Sequence, residues 1–219
     1  MTVTTSPTAS ALEIAAFDFD GTLTTRDCFV PFLVATSGRA RLARAIATVT
    51  TELLGERHAP TRDVVKAGLA RGMLRGLTKD ELIAIGIEFG SNVIRHSLRN
   101  STLGRLDWHR RQGHRVVIVS ASLRFYLEPV AEALGVDVVL CTELEFDERG
   151  IATGELVGAN CRGQEKVNRL LACGLGDPAR LWAYGDSAGD AELLAMADEA
   201  TWVKRGRLGP PRGRDLRRA

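Results

Sequence analysis

Three short apolar runs in the chain each end in a small polar cluster. "IAAF" (Ile14–Phe17) ends at Asp18, "VVIV" (Val116–Val119) at Ser120, and "LWAY" (Leu181–Tyr184) runs into "GDSAGD" (residues 185–190). Unbroken runs of this length and β-rich composition predict parallel strands covered on both faces. "VDVVL" (Val136–Leu140) and "ATWV" (Ala200–Val203) read as two more. Helical spacing fills the gaps, over Phe125–Leu134, Glu165–Leu171 and Ala191–Met196. Strands alternating with helices predict an α/β fold, a doubly wound, Rossmann-like and mainly parallel sheet. "LEFDERGIATGELVG" (Leu144–Gly158) reads instead as two strands about a turn at Glu148–Gly150, a hairpin or flap beside the main sheet.

Between Arg26 and Leu103 the strand pattern vanishes. Helices are expected over Arg39–Leu54, Thr61–Leu74 and Lys79–Ser97, and Thr78 stands three residues before Glu81, the spacing of a capping box. The expected organisation is a core domain made of residues 11–25 and 104–203 and a helical cap domain, 26–103, inserted after the first strand. A disordered N-terminus (1–10) and a basic flexible tail (204–219) complete it.

Composition narrows this only a little. The 219 residues are 45% hydrophobic and 26% charged with a net charge of +2, ordinary for a globular protein and not that of a nucleic-acid binder. The charge is uneven, however: residues 204–219 hold seven Lys/Arg and one Asp. That tail, broken by Pro210 and Pro211, reads first as a solvated end. Its second reading is a peripheral contact with an anionic membrane or nucleic acid, of which only the membrane is carried forward. The four cysteines form no Cys-x-x-Cys pair and no disulfide framework. With a polar N-terminus and no long apolar stretch, they suggest reduced thiols and a cytoplasmic setting.

In open α/β sheets ligands bind beyond the carboxyl ends of the strands, where all three polar clusters fall. Asp18 and Asp20, two residues apart, point to one face if the strand persists. Converging carboxylates repel unless a cation or proton intervenes, and "GDSAGD" adds Asp186 and Asp190. Mg²⁺, hard and oxygen-seeking, fits such a set. An anion has donors here too. These are the Ser120 hydroxyl, the backbone N–H of Ala121 at a strand-to-helix turn, Lys166 at the start of a helix in "GQEKV", and the backbone and hydroxyl of Gly21 and Thr22. Carboxylates, a hard metal, a lysine and a serine together describe phosphoryl transfer to an aspartate. Each cluster alone has a structural explanation in a turn, a cap or a core strand; their joint order is harder to obtain that way.

"DFDGTLT", "VIVSAS", "GQEKV" and "YGDSAGD" resemble the four ordered motifs of the haloacid dehalogenase (HAD) superfamily. The helical insertion between the first and second resembles subfamily IB, the phosphoserine-phosphatase-like branch. The resemblance implies a Mg²⁺-dependent phosphomonoester hydrolase with an aspartyl-phosphate intermediate. It implies Asp18 as nucleophile, Asp20 as general acid and then base, and Ser120 and Lys166 on the phosphoryl oxygens. It implies a metal held by the Asp18 carboxylate, the Asp20 carbonyl and Asp186, with Asp190 in support through water on the metal or by pairing Lys166. Dehalogenase-type members lack an acid two residues after the nucleophile, so Asp20 favours a phosphatase.

The cap is expected to read the leaving group, with Arg26, Asp27, Arg62, Lys66, Arg71, Met73 and Arg75 as candidates. Asp27 stands nine residues after Asp18, where phosphoserine phosphatases carry a glutamate. "TTRDCFVPFL" (Thr24–Leu33) resembles subfamily IB hydrolases that include phosphatidylglycerophosphate phosphatases. A small phosphorylated metabolite such as phosphoserine ranks ahead of a lipid phosphate, and a non-catalytic phospho-ligand-binding protein ranks last because every motif residue is intact. A GTPase is excluded because no G-x-x-x-x-G-K-[ST] loop exists.

Overall fold

The computed structural model describes residues 12–54, 61–203 and 208. The N-terminal segment 1–10 and, Leu208 apart, the basic tail 204–219 lie outside them. Five strands form one parallel sheet: β1 (Glu13–Phe17), β2 (Arg115–Leu123), β3 (Val138–Thr142), β6 (Arg180–Gly185) and β7 (Glu199–Trp202), in the order β3-β2-β1-β6-β7. Successive residues of the runs enter opposite cores. Ala15, Phe17, Val116, Ile118, Trp182 and Tyr184 face one side, and Ile14, Ala16, Val117, Val119, Leu181 and Ala183 the other. The second side is covered by α6 (Gln164–Ala172) and α7 (Ala191–Met196) through Val167, Leu170, Leu193 and Leu194. The first is covered by α4 (Asn100–Arg111) and α5 (Arg124–Leu134) through Leu106, Tyr126, Leu127 and Val130. This is the doubly wound Rossmann-like architecture, and the order of connections reverses at β1, where such sheets bind their ligands.

Three helices are inserted between β1 and β2: α1 (Phe29–Leu53), α2 (Arg62–Leu74) and α3 (Lys79–His96). The capping box forms as expected, with Thr78 Oγ1 accepting from Glu81 N and Glu81 Oε2 accepting from Thr78 N. The hairpin also forms, β4 (Leu144–Phe146) against β5 (Ala152–Leu156), antiparallel. It lies on the insert, where Ala152 exchanges backbone bonds with Gly76 and Leu77. The two linkers of the insert pair with each other. Thr25 N donates to Ser97 O at 2.8 Å and Arg99 N to Leu23 O at 2.8 Å. α4 therefore starts at Asn100, before the expected boundary at 104.

One expected boundary needs correction, and one helix was not expected. The span of α1 holds two helical segments separated by Gly38, which is non-helical at φ +76°: the second starts at Arg39 as expected, and a first, unexpected one starts at Phe29, with Pro31 in its first turn, where a missing N–H is harmless. β3 begins at Val138 rather than Val136. Val136 N closes the end of α5 on Ala131 O, while the Asp137 carboxylate accepts from Val116 N.

The insert docks on the core where α3 crosses α5. A Cβ on Gly86 of α3 would stand 2.2 Å from the Phe125 carbonyl oxygen, so the helices meet at backbone distance. Gly86→Ala is expected to destabilise the fold by about 1–3 kcal/mol, since the obstruction is backbone. Gly104→Ala, where nothing lies within 4 Å, leaves the melting temperature unchanged or raised. Thermal denaturation of the two variants checks this; equal melting temperatures overturn it.

Below the sheet, His109 is buried, with Nε2 2.8 Å from Tyr184 Oη and Nδ1 2.8 Å from His114 Nδ1. Burial, then the nearby His114 and Arg105, hold its pKa down to about 3. Between pH 6.5 and 3 the unfolded chain therefore binds a proton at this residue that the folded chain does not, and acidification removes stability there. His109→Gln is expected to flatten the fall of melting temperature between pH 7 and 5.5. An unchanged slope in the variant counts against this role.

Candidate active site

The first strand delivers Asp18 to the carboxyl edge through two contacts. Phe17 stacks on Tyr184 of the neighbouring strand, 4.3 Å between ring centres and 7° from parallel, and Asp18 N donates to Tyr184 O at 2.9 Å. The Asp18 carboxylate is nine-tenths buried. Its Oδ1 accepts from Lys166 Nζ at 2.6 Å. The same ammonium reaches Asp190 Oδ1, also at 2.6 Å. Asp190 Oδ2 meanwhile accepts from the backbone N–H groups of Asp186 and Ser187 and from Ser187 Oγ. The pairing with Lys166 is one of the two roles open to Asp190. Burial pushes the Asp18 carboxyl up to about 7, with Lys166 opposing and Asp190 adding to the shift.

Asp20 has a different setting. Its Oδ1 accepts from Cys28 N at 2.8 Å and its Oδ2 from Ser122 Oγ at 2.6 Å. Burial, then the charge of Asp27, pushes it up to about 6, in the range of a group that gives and takes a proton near neutrality. Ser120 is buried at the end of the second run, and its Oγ accepts from Ser122 N, which leaves the hydroxyl proton free for an acceptor in the cavity.

Asp18, Asp20, Gly21, Ser120, Ala121, Lys166, Asp186 and Asp190 all line one cavity of about 740 Å³, the usual size for a small-molecule site. Thr22 does not: its hydroxyl is buried without a partner, and its carbonyl accepts from Thr102 Oγ1. Gly21, at φ +80°, packs so closely on Asp186 that a Cβ would lie 2.1 Å from Oδ2. Of the residues expected to read the leaving group, Arg26, Asp27, Arg62 and Lys66 line the cavity. Arg71 pairs with Glu155 on the hairpin at 2.6 Å, Met73 is in the core, and Arg75 is exposed.

The fit to a cation follows from the donor set. Asp18, Asp186 and Asp190 offer carboxylate oxygens all within 4.8 Å of one another. All are hard ligands of the kind Mg²⁺ takes. Asp186 is also pushed up by burial and by Asp190, a repulsion that a cation relieves. Asp190 already serves Lys166 and three other donors, so Asp18 and Asp186 are the carboxylates with capacity to spare.

Sequence reasoning missed Ser122, Cys28 N, Arg99 and Asn160. Ser122 had a signal, since it lies two residues after Ser120 and shares its face. Arg99 Nη2 donates to Gly21 O at 2.9 Å from the far end of the insert, which no local pattern marks.

The chain is similar to known proteins. Residues 15–195 match the family of haloacid dehalogenase-like hydrolases. Protein CicA of Caulobacter vibrioides is 36% identical over 187 residues, covering 85% of this chain and 83% of its own. A phosphoserine phosphatase of Polaromonas sp. is 27% identical, covering 86% and 77%. The crystal structure of a protein with unknown function from Bordetella pertussis superposes with a TM-score of 0.69 at 27% identity, covering 86% of this chain and 88% of that one. The chain therefore belongs to the haloacid dehalogenase-like hydrolase family.

Proposed function

We propose that the protein is a Mg²⁺-dependent phosphomonoester hydrolase that forms an aspartyl phosphate on Asp18 and acts on a small phosphorylated metabolite, phosphoserine or a relative of it. The observation that carries this reading is the Lys166 ammonium shared by Asp18 Oδ1 and Asp190 Oδ1. It holds one oxygen of Asp18 and leaves the other for attack on phosphorus. Ser120 Oγ and Lys166 meet the phosphoryl oxygens, supplying charge where it accumulates in the transition state. Asp20 gives its proton to the departing oxygen and then takes one from water. Ser122 and Cys28 N orient it, so proton transfer starts from a fixed position. A divalent cation held by Asp18, Asp186 and the Asp20 carbonyl supplies further charge neutralisation when bound.

The cavity lining outside the reacting groups supports an anionic leaving group. Setting aside Asp18, Asp20, Lys166, Asp186 and Asp190, the charged residues there are Arg26, Arg62, Lys66, Arg99 and Arg162 against Asp27 and Asp63. A carboxylate beside the ester, as in phosphoserine, suits that excess, and Asp27 is exposed there to meet an amine. The second reading, a lipid phosphate of the phosphatidylglycerophosphate type, is favoured by Phe29, Val30, Val65, Leu69 and Val203 along the same wall. Among the described residues no helix is long and apolar enough to cross a membrane.

Phosphate release is to be measured across phosphoserine, amino-alcohol phosphates, sugar phosphates, glycerol phosphate and phosphatidylglycerophosphate. Release that is lost with chelator and restored by Mg²⁺ is expected, highest on a small anionic ester. Asp18→Asn lowers turnover by orders of magnitude, and Asp20→Asn by about 10²–10⁴-fold, the span of general acid–base catalysis. Near-normal turnover in Asp18→Asn removes it as nucleophile, and no release from any ester removes the reading.

A further inference from the structure

Asn160 follows the hairpin and precedes α6, outside every motif that carries the chemistry. Its side-chain amide is gripped at both ends by the insert. Lys66 Nζ donates to Asn160 Oδ1 at 2.6 Å, and Asn160 Nδ2 donates to Asp63 Oδ1 at 2.6 Å. Lys66 and Asp63 stand three residues apart on α2, on neighbouring positions of one helix face. The core holds the amide from behind, where Thr142 Oγ1 donates to the same Oδ1 at 2.7 Å and accepts from Cys161 N at 3.1 Å. Chemistry fixes the amide's orientation: a lysine only donates and an ionised aspartate only accepts. No other neutral side chain of this length presents an acceptor and a donor to such a pair.

Lys66 makes a second core contact, to the carbonyl oxygen of Ala121, the residue after Ser120. Its ammonium also stands 4.9 Å from the centre of the Phe29 ring. The C-terminal half of α2 is tied separately, by Arg71 to Glu155 on the hairpin. The N-terminal half carries Arg62, Val65 and Lys66 into the cavity wall, and its polar ties to the core are the grip on Asn160 and the Ala121 contact.

We propose that Asn160 is a positioning residue for the reaction, a latch through which Asp63 and Lys66 fix the N-terminal half of α2 against the phosphate-binding strand end and so set the fit of the leaving group. The kinetic side of this rests on the phosphomonoesterase reading; the structural side does not. Because both cap residues hold one amide, losing the amide releases both, while losing Lys66 opens the latch and also removes its contact with Ala121.

The test uses the full chain as Asn160→Ala, Lys66→Met, the double variant, Asn160→Asp, and Asp63→Asn combined with Asn160→Asp. Amide hydrogen exchange over residues 62–70 is followed without substrate. The values of kcat and KM are measured with phosphoserine and with p-nitrophenyl phosphate. Exchange in each single variant is expected to quicken by about tenfold or more, the order of one hydrogen bond to a charged group. kcat/KM on phosphoserine falls similarly, and the double variant does no worse than Lys66→Met alone. Asn160→Asp sets two acids together at positions 63 and 160. The added Asp63→Asn reverses donor and acceptor across that pair and restores both readouts, which general damage to the fold does not do. Unchanged exchange in the single variants, losses that multiply in the double variant, or failure of the reciprocal pair to recover each overturn the latch. If Asn160→Ala does not fold, Lys66→Met and the reciprocal pair decide the matter. If no ester is turned over, the reading above fails, and exchange still judges the latch.

Discussion

The ammonium of Lys166 between Asp18 and Asp190 is the contact around which the rest is arranged. The lysine and Asp190 side chains are 2% and 1% exposed, and isolated charges at such depth carry a desolvation penalty of several kcal/mol each. The arrangement is tolerable only if every lone pair and proton finds a partner. Asp190 meets that condition with four donors, and Lys166 places two of its three protons on carboxylates. To bring these groups together, the end of β1, the start of α6 and the turn after β6 must converge. The sheet order does this by setting β6 beside β1. The reversal at β1 is thus what makes a buried lysine compatible with the fold, and it aims the remaining oxygen of Asp18 into the cavity.

The two aspartates of the first motif differ because their partners differ. Asp18 has an oxygen held by the Lys166 ammonium, while Asp20 has both oxygens held by neutral donors, a serine hydroxyl and a backbone N–H. Burial raises both, Asp18 to about 7 and Asp20 to about 6. What separates them is how each carboxylate is held. These settings are assembled out of β2, the linker at Cys28 and α6, not from the side chains, which are identical.

This explains what the chain discloses before folding. The strands and their polar ends were legible because burial on both faces writes a continuous apolar run, and the residue types at the ends limit the chemistry. The capping box at Thr78 was legible because its partners are three residues apart. The helical segment before Gly38 was not legible because Pro31 looks like a break, whereas it sits in a permissive first turn; Gly38 does interrupt the helix, and the segment from Arg39 was legible. Ser122 at Asp20, Arg99 at Gly21 and Asn160 at α2 were not assigned. Each pairs with a residue some 80 to 100 positions away, and nothing local distinguishes it from a solvated polar residue. The same limit holds for Arg71, whose charge suggested a ligand contact until its partner Glu155 was in view.

The distribution of these long-range contacts separates two jobs. Those within the core hold Asp18 and Lys166 and, with Cys28 of the linker, Asp20. Those between core and insert act on Gly21 through Arg99 and on Ala121 through Lys66, both backbone carbonyls next to motif residues. A change in the insert is therefore felt at the phosphoryl pocket through the backbone that carries its donors, without altering a reacting side chain. On the proposed reading the reacting carboxylates are held mainly by the core, the insert bears on the pocket through backbone carbonyls, and the leaving group is read where α2 meets the strand ends.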